Sequence, residues 1–189
     1  MKKSFSFGTK DLSRFISRVL LPVLGIICGS QNDILRNNYS DLRLDSTFSW
    51  VYLLMGLLMA VYYGVVIWYL INKRKMNKVY SVLVVVSFLL FVTGVILPYS
   101  PQGNDILSLR HVDFVFVAML IFISVLLKYL SVDYQVFHFQ RTYLMVFVTG
   151  AIIIFSFSLM VNSLLETWGI IGLSNLLNRL YEKEKSFDI

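Results

Sequence analysis

Between a basic lead at residues 1–14 and a charged tail, the chain alternates uncharged tracts about twenty residues long with short polar turns. "FSWVYLLMGLLMAVYYGVVIWYLI" (48–71), "VYSVLVVVSFLLFVTGVILPY" (79–99) and "YLMVFVTGAIIIFSFSLMVNSLL" (143–165) hold no charged residue. A helix needs about twenty residues to cross ~30 Å of hydrocarbon, and these tracts are continuous where a barrel strand would alternate. The pattern predicts an all-α integral membrane protein. It is expected to be a polytopic helical bundle with five transmembrane helices at about 15–30, 48–71, 79–99, 112–130 and 143–165. The first span is the least regular, because Arg18 limits its charge-free part to Val19–Cys28 and Pro22 interrupts it. A secretory leader, with a basic start, an apolar core and small residues after it, has a similar pattern.

Residues 167–189 depart from this plan. In "TWGIIGLSNLLNRLYEKEK" Ile170, Leu173, Leu177 and Leu180 recur at helical spacing, with Asn175, Asn178, Arg179 and Glu182 on the other side. That spacing predicts an amphipathic helix. Counted from Thr167 to Tyr181 it reaches about 22 Å, short of a full crossing. After five spans it is expected on the outer surface, anchored by Trp168. The alternative is a short sixth span, with Arg179, Lys183 and Lys185 drawing the tail inside. The chain thus divides into a basic N-terminus (1–14), a helical bundle (15–166) and an amphipathic helix with its tail (167–189).

Composition agrees: 57% of the residues are hydrophobic and 15% charged, where a soluble domain carries about a quarter charged. The net charge of +6 does not indicate nucleic acid, because the basic residues flank the apolar tracts. Lys2, Lys3, Lys10 and Arg14, then Lys73, Arg74, Lys75 and Lys78, then Lys128 and Arg141 fall on one side. Arg36, Arg43 and Arg110 fall on the other. The positive-inside rule therefore puts the N-terminus and the 72–78 turn in the cytoplasm and the loops 31–47 and 98–111 outside. A plasma membrane is expected, and the Asn- and Lys-rich loops suit a bacterial inner membrane. The single cysteine, Cys28, forms no intramolecular disulfide, and no Cys/His cluster suggests a metal or another cofactor. An intramembrane zinc hydrolase of the ceramidase type needs several histidines. Here His111 and His138 fall on opposite sides of the bilayer.

The most polar interruption is "LPYSPQGNDILSLRHVDF" (97–114). Pro98 ends a helix, "PQGN" is turn chemistry through Pro101, Gly103 and Asn104, and Ser108 suits a cap. Arg110, His111 and Asp113 are left over at the mouth of span four. Arg110 and Asp113 are spaced to pair on one helix face, and a carboxylate about one turn deep needs a partner. Asn162 and Glu166, at the outer end of span five, are expected at the same depth. Arg110, His111, Asp113, Asn162 and Glu166 together form a candidate outer-facing binding pocket; the bland alternative is interfacial groups snorkelling into water. His111 and Asp113 project from nearly opposite sides of a helix, so they do not make an acid–base pair by themselves. Gly56, Ala60 and Gly64, spaced four apart, stack on one face of span two and predict close helix packing, with a ligand channel as the alternative.

The layout resembles the DRAM and FRAG type of multi-span membrane protein and its bacterial relatives of unknown function. The similar elements are the polar loop Gln31–Thr47, "ILPYSPQGN" closing span three, His111 at the start of span four and "GIIGLSNLLNR" after span five. The resemblance implies a six-span bundle linked to lipid handling or membrane-protein sorting, without assigned catalytic residues. The expected function is a non-enzymatic bundle binding a lipid, a peptide or a partner membrane protein, with membrane lipids or a second protein subunit as partners. The alternatives are a small transporter, for which spans two, three and five offer no charged ion path, and an enzyme acting on lipid headgroups.

Overall fold

The computed structural model describes residues 9–31, 33–35, 37–44, 47–97, 106–132, 134–158 and 161–186. Lys2 and Lys3 of the basic lead, and the turn with Pro98, Pro101, Gly103 and Asn104, lie outside the described residues. The described residues form helices α1 (Thr9–Ser30), α2 (Ser49–Lys73), α3 (Lys78–Ile96), α4 (Ile106–Val132), α5 (Tyr134–Ser158) and α6 (Ser163–Ser186), with a short 3₁₀ turn at Tyr39–Leu44. Five of them, α1 to α5, are long and apolar enough to cross a membrane. The chain is a multi-pass, all-α helical bundle. Val61, Val65, Leu89, Phe116, Leu127 and Ile152 are exposed along these helices, as a lipid-facing belt requires.

Local chemistry sets the boundaries. Asn77 caps α3 by accepting the Val79 N–H at 3.0 Å, which closes the basic turn after Lys73. Asn162 caps α6, its Oδ1 accepting the Leu165 N–H at 2.9 Å. The break between the last two helices therefore falls near residue 162 and not at 166. The expected span at 143–165 is instead a helix ending at Ser158, and the last helix starts at Ser163.

This shift corrects the placement of the amphipathic helix. With 24 residues, α6 is about 36 Å long at ~1.5 Å per residue, enough to traverse the bundle. It does not lie on a surface. It packs against α1, α2 and α5, and Leu176, Leu177 and Leu180 are fully buried. Its first turn meets the 31–44 loop, where the Ser163 N–H donates to Asn37 O at 2.7 Å and the Leu164 N–H to Ile34 O at 3.1 Å. Its last turns meet the opposite, basic end, where Arg14 Nε lies 2.6 Å from Glu182 and Arg74 NH2 lies 2.6 Å from Glu184.

A polar seam runs down α6 between these ends. Tyr63 Oη lies 3.1 Å from Ser174 Oγ, Ser13 Oγ donates to Asn178 Oδ1 at 2.9 Å, and Tyr129 Oη donates to Glu184 at 2.7 Å. Each buried polar group on this face thereby has a partner, which is the condition for burying it.

The small-residue face of α2 lies against α3, as its spacing predicts. A Cβ on Gly56 would come within 2.7 Å of the Val95 side chain, and one on Gly64 within 3.4 Å of Phe88; Ala60 between them is buried. The α3–α4 contact is equally close. A Cβ on Gly94 would meet the Val115 backbone nitrogen at 3.1 Å.

Candidate functional site

The 31–44 loop is drawn over the bundle by Tyr39. Its hydroxyl donates to Gly25 O at 2.6 Å and lies against the Thr167 hydroxyl. Burial pushes the Tyr39 pKa above its ordinary range, so the phenol stays a neutral donor. This anchor sets Ser40 beside His111, 2.9 Å from Nε2.

His111 itself is buried, and its Nδ1 is 2.6 Å from Gly94 O. A carbonyl only accepts, so Nδ1 carries the hydrogen, and in the neutral ring Nε2 accepts from the Ser40 hydroxyl. The close approach at Gly94 makes the first of these bonds possible.

Beneath this pair α4 and α6 stand apart, and a cavity of about 300 Å³ fills the gap. Its walls are apolar, with Met55, Met59, Phe91, Val115, Met119 and Leu173 supplied by α2, α3, α4 and α6. Its polar groups sit at the loop end: Ser40, His111 and the half-buried Glu166. Glu166 Oε2 accepts the Tyr39 N–H at 2.6 Å. The cavity is thus an apolar chamber with a hydrogen-bonding mouth, the general form of a small-molecule site.

The structure brings together some of the predicted pocket residues and separates others. His111 and Glu166 both line the cavity. Asn162 is fully buried, but it caps α6 and donates through Nδ2 to Leu35 O at 3.2 Å, a structural role at the edge of the site. Arg110 and Asp113 do pair, 3.7 Å apart, with both side chains 62% exposed. They face away from the chamber. Arg110 is thus one of the partners expected for Asp113, but α4 begins at Ile106 and the pair lies on its exposed face, away from His111 and the chamber.

Tyr39, Ser40 and Gly169 line the cavity without having stood out in the sequence. A serine and a tyrosine in a polar loop carry no pattern of their own. Gly169 had a signal in its position on an otherwise well-formed helix, where glycine costs about 1 kcal/mol relative to alanine.

Comparison with protein families, with curated protein sequences and with solved structures finds no match to this chain.

Proposed function

We propose that the protein is a non-enzymatic component of a plasma membrane, of bacterial inner-membrane type by its loops, that binds an amphiphile in the cavity between α2, α3, α4 and α6. The carrying observation is the lining itself: apolar walls of about 300 Å³ capped by Ser40, His111 and Glu166. An acyl chain already dissolved in lipid gains little by entering an equally apolar chamber. Selectivity then resides in the mouth. The Glu166 carboxyl and the Ser40 hydroxyl offer acceptor oxygens there, so the headgroup the mouth favours is a donor, a hydroxyl or an ammonium.

The orientation follows the basic residues. Arg14, Arg18, Arg74, Arg179 and Lys183 belong to one end of the bundle, and the proposed mouth to the other. By the positive-inside rule the N-terminus and the end of α6 face the cytoplasm and the mouth faces outward. The resemblance to the DRAM and FRAG type, with its six-span plan and link to lipid handling, supports the same reading, since α6 runs the height of the bundle.

The test compares oleoyl monoglyceride, whose headgroup donates, with methyl oleate, which shares its chain length and does not. In detergent-solubilised full-length protein, the monoglyceride is expected to bind about tenfold more tightly, the worth of one hydrogen bond. Glu166→Gln keeps an acceptor for Tyr39 but replaces the other carboxyl oxygen by a donor NH2, and should weaken monoglyceride binding about fivefold. Asp113→Asn, outside the chamber, should leave it unchanged. Equal binding of the two lipids, or no effect of Glu166→Gln, overturns the proposal.

A further inference from the structure

The basic end holds a second cleft, formed by α1, α5 and α6 and independent of the loop-end cavity. Its volume is about 930 Å³, and its rim carries Arg18, Arg179, Lys183 and Glu182. Three features set it apart from a solvated helix face.

The first is the conformation of α1. Residues Ile16–Leu20 are π-helical, and the Leu21 N–H reaches back to Ile16 O. Pro22 provides the cause, because it lacks an N–H for the Arg18 carbonyl and its ring crowds that group. Such a wide turn commonly marks a functional position. Here it holds Arg18 on the cleft, 3.4 Å from Glu182.

The second is charge. Glu182 is held more closely by Arg14 Nε at 2.6 Å and by Asn178 Nδ2 at 2.8 Å than by Arg18. Among the described residues that line the cleft, Arg18, Arg179 and Lys183 thus stand beside a single carboxylate, which other groups already hold.

The third is an apolar continuation. The cleft wall passes Tyr143 and Ile171 into a narrower hollow of about 90 Å³ beside Phe147 and Trp168. Arg179 lies 5.1 Å above the Tyr143 ring, and Trp168 Nε1 donates to Phe147 O at 2.9 Å. Rim and seam are preformed. Val146 beside them is exposed on α5, so the seam opens toward the lipid phase.

We propose that this cleft binds an anionic phospholipid, with its phosphate among Arg18, Arg179 and Lys183 and one acyl chain along the α5–α6 seam. Guanidinium groups match a phosphate in geometry as well as charge, and basic pockets between membrane helices recognise such headgroups. The apolar seam favours a lipid over free phosphate, since an anion alone has no use for it.

The test measures lipid retention by the full-length protein in detergent by native mass spectrometry, with phosphatidylglycerol, phosphatidylcholine and inorganic phosphate as probes. One phosphatidylglycerol per chain is expected, held about tenfold more tightly than phosphatidylcholine. Arg179→Gln with Lys183→Gln should lower that affinity about tenfold, while Lys78→Gln, on the exposed start of α3, should not change it. Should the double variant unfold, Ile171→Trp tests the seam without altering a charge and should displace the lipid. Equal retention of the two lipids overturns the proposal, as does phosphatidylglycerol affinity unmoved in a folded variant. Competition by inorganic phosphate as strong as that by the lipid would also overturn it, leaving an anion site with no lipid character.

Discussion

Gly169 offers a way to close the loop-end cavity from within. It lies on the α6 wall of the chamber, and a Cβ built there meets no atom within 4 Å. Phenylalanine adds seven carbons. At ~30 Å³ each, taking one water's share of liquid volume as the unit, these occupy about 200 Å³. The cavity measures about 300 Å³, so Gly169→Phe removes about two thirds of it and leaves room for three or so methylenes, roughly, on the same unit. A bound chain would be expelled. The fold should tolerate the change, because the ring enters open space and a helical glycine is replaced by a better helix former, a gain of about 0.3–0.5 kcal/mol. The assay is paired: thermal unfolding of the detergent-solubilised variant and binding of oleoyl monoglyceride. A melting temperature at or slightly above that of the wild type, with binding reduced at least tenfold, roughly 1.4 kcal/mol, is expected. A variant that folds normally and still binds the monoglyceride as tightly would show that the chamber is not where the lipid sits.

Two further predictions concern the bundle itself. Gly172, one turn along the same helix, has the opposite environment, since a Cβ there would fall 2.1 Å from the Phe147 ring. Gly172→Ala should therefore force α5 and α6 apart and destabilise by about 1–3 kcal/mol; an unfolding midpoint equal to that of wild type would refute the close α5–α6 approach. Glu184→Ala removes the carboxylate held by Arg74 and Tyr129, at 2.6 Å and 2.7 Å. The loss of charge pairing should cost about 2 kcal/mol, less than a fully buried pair because Arg74 is partly exposed. The orphaned Tyr129 hydroxyl adds about 1 kcal/mol. A loss below ~1 kcal/mol in reversible denaturation would mean that this junction does not hold the end of α6 in place.

Of the five long apolar helices, α2, α3 and α5 were legible because an uncharged tract of about twenty residues has few other uses, α1 and α4 only as apolar runs that tolerate a few charges, and Gly56, Ala60 and Gly64 declared their packing by spacing alone. The site was legible only in part. His111 and Glu166 belong to it, and both stood out as ionisable groups near the ends of apolar tracts. Arg110 and Asp113 stood out for the same reason, yet they pair with each other on an exposed face. Charge and approximate depth do not tell which way a helix is rotated, and at the mouth of α4 neighbouring residues point to different environments. Tyr39 and Ser40 were illegible for a different reason. Their place depends on a hydrogen bond from the Tyr39 hydroxyl to Gly25 O at 2.6 Å, a tertiary contact without a local pattern.

The last helix shows why hydropathy alone misplaces a segment. Read in isolation, α6 has too many polar residues to cross a bilayer, and a start at Thr167 made it too short. Asn162 was the available signal for the earlier start, as a capping residue followed by a run of helix formers. Its polar residues are no bar to burial once each meets a partner: Ser163 with the Asn37 carbonyl, Ser174 with Tyr63, Asn178 with Ser13, and Glu184 with Arg74 and Tyr129. Between helices in lipid there is no hydrophobic drive to association, so packing and interhelical hydrogen bonds must hold them. The polar seam on α6 supplies such bonds to α1, α2 and α4 together. A central helix of this kind is stable only when its neighbours are already in place, and that dependence is a property of the bundle which a scan of single segments does not contain.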